Sequence, residues 1–295
     1  HNTNHRFQSH SRPPPPELEG LDEDVSHHIV GVSVPSVGGA ETFHGPIGTM
    51  TVIAGLGIQS ELGVFGERIM FVVSVADIGL GYIGLPTAAF LADNGFDVTG
   101  VDINAEVIDI INNGNTHIVE PKLNELVKKV VESKNLVASI DPASSDVYII
   151  AVPTPFHESN GQDSPEPNIN FVREAVLNIA PYLKIGDLIV LESTSPIGTT
   201  ELIRDLLKEI RDDLNFSDDF SSSPDINIAY CPERVIPGNI LFELKNNDRV
   251  LGGLTYKCSE KAANFYNSFI SGKCLTTNSK TAEMTKLVEN SSRDV

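Results

Sequence analysis

Basic residues are scarce in this chain: 21 Lys and Arg stand against 40 Asp and Glu, for a formal net charge of -19. That balance excludes nucleic acid as a partner, because neutralising its phosphates takes an excess of Lys and Arg. It does not exclude a phosphorylated small molecule, since backbone N–H groups at a helix N-terminus bind phosphate without basic side chains. Cysteine is nearly absent. Cys231, Cys258 and Cys274 form no CxxC pair, which excludes a disulfide framework and reads as reduced thiols of a cytoplasmic protein. Long apolar runs are missing too. The most apolar early stretch, Gly45 to Gln59, is glycine-rich and shorter than the roughly 18 residues a membrane helix needs. No basic segment followed by an apolar run and a small-residue cleavage site is present, so no membrane association is expected. His1, His5, His10, His27 and His28 lack the carboxylate or Cys spacing that would complete a metal site, and no metal is expected.

Lysine is missing altogether before Lys122, and six of the eight histidines fall at or before His44. Pro13 to Pro16 form a polyproline run, extended and solvated by its nature, and Glu17 to Asp24 is acidic with few apolar residues. Residues 1–69 therefore read as a low-order or non-native extension, with Met70 near the natural start. One segment of it, Thr51 to Ser60, mimics a dinucleotide fingerprint through Gly55 and Gly57. Ser60 stands where a third glycine is needed, no clear helix follows, and no acidic residue closes a following strand, so chance is the better reading.

What is there begins at Phe71. The 295 residues and 40% hydrophobic content suffice for two ordinary domains, or for one with added segments. Short β-branched runs at 71–78, 97–102, 147–152, 187–192, 226–231 and 249–252 read as strands. Between them, 82–94, 104–113, 122–133, 168–182, 199–213 and 259–270 read as helices, with a further helix from Thr281. This alternation predicts an α/β fold with a doubly wound, mostly parallel Rossmann sheet over 70–278, followed over 279–295 by the start of a long helix. Asp77 is out of character inside the first strand. The acidic stretch Asp212 to Asp225 reads as a surface loop.

The first strand runs into Gly79-Leu80-Gly81-Tyr82-Ile83-Gly84, a GxGxxG that opens a helix and precedes a second strand ending in Asp102. In that context the glycines have separate tasks. Gly79 allows the tight turn, Gly81 lets a pyrophosphate approach the backbone, and Gly84 lets the helix pack close. A carboxylate 18 residues past Gly84 is placed to accept bonds from the adenosine ribose and to repel a 2′-phosphate. NAD is expected rather than NADP. Three polar motifs follow later strands: Val152-Pro153-Thr154-Pro155, Glu192 to Thr200 (ESTSPIGTT) and Cys231 to Gly238 (CPERVIPG). Ligands of open parallel sheets bind beyond the carboxyl ends of the strands, so these motifs are expected to converge on one crevice.

Together with GLGYIG, these motifs resemble the UDP-glucose / UDP-N-acetyl-mannosamine dehydrogenase family, from about Ile78 to Val295. CPERVIPG, Asn247 to Gly253 (NDRVLGG) and Thr281 to Val295 (TAEMTKLVENSSRDV) look like the UDP-N-acetyl-mannosamine branch. UDP-glucose members usually differ after the Pro-Glu. The resemblance implies oxidation of a sugar C6 alcohol to a carboxylate with two NAD, through an aldehyde and a cysteine thioester. It implies cofactor contacts from Gly79, Gly81, Tyr82, Ile83, Gly84, Asp102, Thr154 and Thr194. It assigns Glu233 as acid/base, Thr194 as the residue that positions water, and Lys286 and Asn290 as partners on one helix face. Arg234 is a candidate for the substrate or for an ion pair. A UDP-sugar is the expected substrate and a homodimer the expected state of a full-length member. Members continue into a second domain that carries the nucleophilic cysteine in a Gly-rich loop. None of the three cysteines here sits in such a loop, so the chain reads as a truncated product, inactive by itself. The alternatives are an NAD-binding fragment without turnover, or a dehydrogenase of UDP-glucose or another UDP-HexNAc. More distant is an enzyme of the 6-phosphogluconate or 3-hydroxyisobutyrate dehydrogenase group, which also pairs a Rossmann domain with a Lys-x-x-x-Asn helix.

Overall fold

The computed structural model describes residues 39–45, 48–54, 62–65, 68–157, 166–216 and 223–293. The polyproline run and His1 to His28 lie outside the described residues. Within the expected extension, β1 (Gly39–Gly45) pairs antiparallel with β2 (Gly48–Ala54), and β3 (Leu62–Phe65) with β4 (Arg68–Phe71). Thr51 to Ala54 thus lies in one arm of a hairpin, and the next described element is another strand. Gly55 and Gly57 themselves lie outside the described residues.

From Ser74 the chain alternates. β5 (Ser74–Ile78) leads to α1 (Gly84–Asp93); β6 (Asp97–Val101) leads to α2 (Ala105–Asn112), α3 (Leu123–Glu132) and β7 (Leu136–Ser139). β8 (Val147–Ile150), α4 (Asn170–Ile179), β9 (Leu188–Leu191), α5 (Thr199–Ile210) and β10 (Asn227–Tyr230) continue the pattern. Then come α6 (Ile240–Asn246), β11 (Arg249–Gly253), α7 (Tyr256–Asn267), β12 (Cys274–Asn278) and α8 (Ser279–Arg293). The strands from β5 onward form one eight-stranded sheet in the order β12-β11-β10-β9-β8-β5-β6-β7. Every neighbouring pair in it is parallel except β10 with β11. The expected doubly wound Rossmann sheet is therefore present.

Period-two alternation divides the core between the two faces of the sheet. Val75, Leu188 and Val190 belong to one buried cluster, covered by α1, α2, α3, α6 and α7. Ala76, Ile78, Ile189 and Leu191 belong to the other, covered by α4 and α5 and touched by Ala282 of α8. On the first face Phe96 and Phe269 meet edge to face with centroids 5.6 Å apart, beside Phe90 and Phe265. Such aromatic pairs add about 0.5–1.5 kcal/mol beyond the area they bury. Among the described residues no helix is long and apolar enough to cross a membrane, and no group of three or more His, Cys, Asp and Glu stands ready to hold a metal.

From Phe71 on, the expected elements need three additions and one division, besides the strands β1, β2 and β3 that precede it. β7 and β12 are the sheet's two edges. β12 (CLTTN) buries no residue fully and has no apolar run to show, whereas β7 (LVAS) is apolar and short, with alternate residues buried. Pairing with β6 and β11 makes them strands. α6 has seven residues and is too short for a clear helical period. The single strand expected over 71–78 is two elements, because Phe71 pairs with Leu62 in a hairpin and β5 starts at Ser74.

Asp77 sits in the middle of this core. It is wholly buried between Gly100 of β6 and Ile149 of β8, and neither carboxylate oxygen has a hydrogen-bond partner among the described residues. Burial pushes its carboxyl well above the ordinary value, and the neighbouring Glu192 pushes it further. A carboxyl raised on folding keeps a proton that the unfolded chain gives up. Its contribution is whole below about pH 3.9 and is lost as pH rises through the native value. Asp77→Ala is expected to stabilise the fold by about 1–3 kcal/mol in urea unfolding. The gain is expected to widen from pH 5 to pH 8; a loss of stability, or a gain that narrows with pH, would contradict this account.

Candidate functional site

The dinucleotide loop follows β5 at the carboxyl edge of the sheet. Gly79 adopts φ +102°, a left-handed conformation open to glycine, and its N–H donates to the Val101 carbonyl at 2.8 Å. A Cβ on Gly84 would stand 1.9 Å from the Gly79 carbonyl oxygen, so only glycine lets α1 start there. At Gly81 a Cβ would meet nothing within 4 Å. The fold itself does not demand that glycine, and clearance for a ligand does explain it. The first turn of α1 contains no acidic residue, and its N-cap, Ile83, makes no side-chain capping bond. Leu85 N donates to the Gly81 carbonyl at 3.1 Å and Pro86 carries no N–H, so the amides that an external acceptor can meet are those of the loop just before them. Asp102 stands beside the loop: its Oδ2 accepts from Leu80 N at 3.0 Å and its Oδ1 from Asn104 N at 2.9 Å.

The later motifs close around this edge. A Cβ on Gly79 would lie 3.0 Å from the Ala151 carbonyl, which places the Thr154 segment directly against the loop. Thr154 Oγ1 donates to the Thr194 carbonyl at 2.5 Å, and Ser193 Oγ donates to the Val152 carbonyl at 2.7 Å. The VPTP and ESTSP segments are therefore one unit. Beyond them, Lys286 of α8 is buried and its Nζ donates to the Glu233 carbonyl at 2.5 Å. Asn290 lies half-buried one turn further along α8. Arg234 pairs with Glu289 at 2.7 Å, the ion-pair reading of that residue.

Glu233 itself is a bound carboxylate. Its Oε2 lies 2.8 Å from Arg249 Nη1, and its Oε1 accepts from Arg234 N at 2.7 Å. Arg249 is buried at the start of β11, with its guanidinium 4.9 Å over the Tyr266 ring and 4.0 Å from Glu192 Oε1. Tyr266 donates to the same Glu192 oxygen at 2.7 Å. Burial first, then the charge of Glu233, push the Glu192 carboxyl up to about 7, against Arg249 and Tyr266, which pull it down. Burial pushes the adjacent Cys231 thiol up to about 12, which removes it as a nucleophile.

Three contributors escaped the sequence. Glu283 of α8, wholly buried, accepts from Gly198 N, Thr200 N and Thr200 Oγ1 at 2.6–2.9 Å and so caps α5. Glu120 accepts from Tyr82 Oη, Gly238 N and Ile240 N. Arg249 neutralises Glu233. Each acts on partners 16 to 120 residues away, and no local motif marks such a pairing.

Removing Arg249 leaves two carboxylates buried without a counter-ion. Arg249→Leu is expected to cost about 3–5 kcal/mol in urea unfolding at neutral pH. The cost is expected to shrink at pH 5, because a protonated Glu192 needs no cation, and to grow toward pH 8 as Glu192 passes its raised value. A pH-independent loss would mean that packing, not charge, accounts for it.

The description "UDP-glucose/GDP-mannose dehydrogenase family, NAD binding domain" matches residues 73–270. The chain is 52% identical over 222 residues to the UDP-N-acetyl-D-mannosamine dehydrogenase of Yersinia pestis, covering 75% of this chain and 52% of that protein. Over 222 residues it is 49% identical to an NDP-N-acetyl-D-galactosaminuronic acid dehydrogenase of Ralstonia nicotianae, covering 75% of this chain and 51% of that one. The solved structure of the UDP-N-acetyl-mannosamine dehydrogenase of Staphylococcus aureus superposes with a TM-score of 0.67 at 41% identity, covering 75% of this chain and 51% of the other. The chain spans about half the length of the curated relatives it matches. It belongs to the UDP-glucose/GDP-mannose dehydrogenase family and carries that family's NAD-binding domain.

Proposed function

We propose that this chain is the NAD-binding half of a nucleotide-sugar 6-dehydrogenase whose substrate is UDP-N-acetyl-D-mannosamine. The observation that carries the reading is the convergence, at one sheet edge, of an open α1 N-terminus with the tied Thr154–Thr194 unit and the Glu233–Lys286 contact. The names of the relatives favour the N-acetyl-mannosamine substrate, and the N-acetyl-galactosaminuronic acid relative marks the nearest alternative sugar.

The residues present fit NAD. The space beside Gly81 admits a pyrophosphate, the amides of the loop before α1 supply its donors, and Asp102 is placed for the adenosine ribose and against a 2′-phosphate. When bound, NAD would supply the hydride acceptor for oxidation at the sugar C6. The Lys286 ammonium, held on the Glu233 carbonyl, supplies positive charge for an oxyanion developing on that carbon, with Asn290 on the same helix face. Thr194 positions water. Glu233 takes the acid/base role in hydrolysis, and for that it must exchange its bond to Arg249 for one to water. The second oxidation needs a thiolate beside the aldehyde. Cys231 is buried with its thiol pushed up, and Cys258 is buried and bonded to Thr255. The resemblance assigns that thiol to the portion of the relatives that this chain does not span. A homodimer remains the expectation for the full-length enzyme.

Gly81→Ala is the sharpest test of the cofactor seat. Its thermal unfolding is expected to match that of the unaltered chain, because the added Cβ meets no protein atom. NAD affinity by calorimetry is expected to fall at least about tenfold, or ~1.4 kcal/mol. Unchanged affinity would remove the pyrophosphate from this loop. For the reaction, the chain alone is expected to form at most traces of NADH from UDP-N-acetyl-mannosamine. Joined to the C-terminal half of the Yersinia pestis relative, it is expected to form two NADH per sugar, with turnover abolished by Lys286→Ala and Glu233→Gln. Steady production of two NADH by the chain alone would refute the assignment of the thiol.

A further inference from the structure

Glu120 lies in the connection between α2 and α3, next to the almost fully exposed Val119, yet only 8% of it is accessible. Its carboxylate is spent on two distant segments. Oε2 accepts from Tyr82 Oη at 3.1 Å and from Gly238 N at 2.9 Å, and Oε1 accepts from Ile240 N at 2.9 Å. Burial pushes the carboxyl up, but the bonds from Ile240, Gly238 and Tyr82 outweigh it and hold the group below its ordinary value. Glu120 is thus an anion whose carboxylate bonds all go to other segments of the chain.

The two segments it joins are the two sides of the site. Tyr82 is the residue between Gly81 and Ile83 of the dinucleotide loop, where its own backbone faces the open α1 N-terminus. Gly238 and Ile240 close the connection from β10 to α6 that begins with Pro232 and Glu233. The near end of that connection is pinned by Arg249 on Glu233 and by Lys286 on the Glu233 carbonyl. Its middle is held by Glu243 Oε2 on Ile236 N at 2.8 Å. Its far end is held by Glu120, and Gly238 is free to take φ +90° there. One oxygen atom, Glu120 Oε2, therefore accepts from both the Tyr82 hydroxyl and the Gly238 amide.

We propose that Glu120 is a positioning residue that couples the dinucleotide loop to the Glu233 loop, so that NAD seated over Gly81 and Tyr82 restrains the 236–240 segment through the Tyr82 hydroxyl. A pyrophosphate on the loop amides fixes the Tyr82 backbone and limits the excursions of its ring. The hydroxyl then stays on Oε2, and the carboxylate stays on Gly238 and Ile240. The linkage is reciprocal in free energy. It rests on NAD occupying the Gly79–Gly84 loop, and its test separates the two ideas.

The test is residue-resolved amide hydrogen exchange of the chain with and without saturating NAD. In the unaltered chain, NAD is expected to slow exchange at Gly238 and Ile240 by roughly fivefold or more. Tyr82→Phe removes one hydroxyl and leaves both Glu120–amide bonds. At NAD concentrations that saturate the variant, it is expected to keep the slow exchange seen without NAD and to lose the NAD-dependent slowing. Glu120→Gln, which offers an N–H where an acceptor is needed, is expected to speed exchange at Gly238 even without NAD. Glu120→Asp, shorter but still anionic, is expected to restore part of it. NAD-dependent slowing retained in Tyr82→Phe would overturn the coupling, as would the absence of any slowing in the unaltered chain while NAD binds. Undiminished NAD affinity in Gly81→Ala would instead remove the seat, and the coupling with it.

Discussion

The atom that matters most to this structure is one that is not there. A Cβ on Gly84 would stand 1.9 Å from the Gly79 carbonyl oxygen. Its absence lets α1 begin immediately beyond β5, with the strand end and the helix start in contact. Everything at the carboxyl edge of the sheet is arranged around that closeness. Asp102 reaches Leu80 N across the turn, and the Ala151–Val152 backbone packs against Gly79. Thr154 and Thr194 are then drawn to the same edge by a single hydrogen bond.

The helix N-termini at this edge divide in a way that explains the site. Every α-helix begins with N–H groups that lack an intrahelical partner. For α5 they are answered by Glu283 from α8, and for α6 by Glu120 from the α2–α3 connection. For α1 no side chain of the N-cap answers them. At the GxGxxG turn Gly79 N, Leu80 N and Leu85 N are bonded within the protein, but no carboxylate caps the helix as Glu283 and Glu120 cap α5 and α6. Glu283 has a second effect: by capping α5 from within α8, it fixes the helix that carries Lys286, and so the height at which the ammonium stands over Glu233.

The site is also held under electrostatic tension. Asp77, Glu192 and Glu233 bring three buried carboxyls to one face of the sheet, and Arg249 is the cation that meets two of them. Glu192 is pushed to about 7 and Asp77 well above its ordinary value, so protons complete the neutralisation that one guanidinium cannot. A buried pair of this kind adds little net stability, because desolvation offsets most of the attraction, but losing one partner is costly. Its use here is positional: Arg249 holds Glu233 in one orientation, at the head of the loop whose tail Glu120 holds.

The sequence by itself determined whatever depends on near neighbours. The GxGxxG between an apolar run and a helix, the carboxylate closing the next strand, and the period-two and period-3.6 patterns are local, because a tight turn and an amphipathic element are completed within a few residues. Gly79, Gly81, Gly84 and Asp102 were legible for that reason, and so were most strands and helices between Asp97 and Asn267. Only tertiary structure decided the edges and the contacts. β12 carries too little apolar pattern to declare itself and β7 is a short apolar run directly after a helix; pairing with β11 and β6 makes each a strand. Glu120, Glu283 and Arg249 look in sequence like three ordinary surface charges. Each is buried against partners brought close only when the sheet has formed, and a charge reveals its task only through what surrounds it.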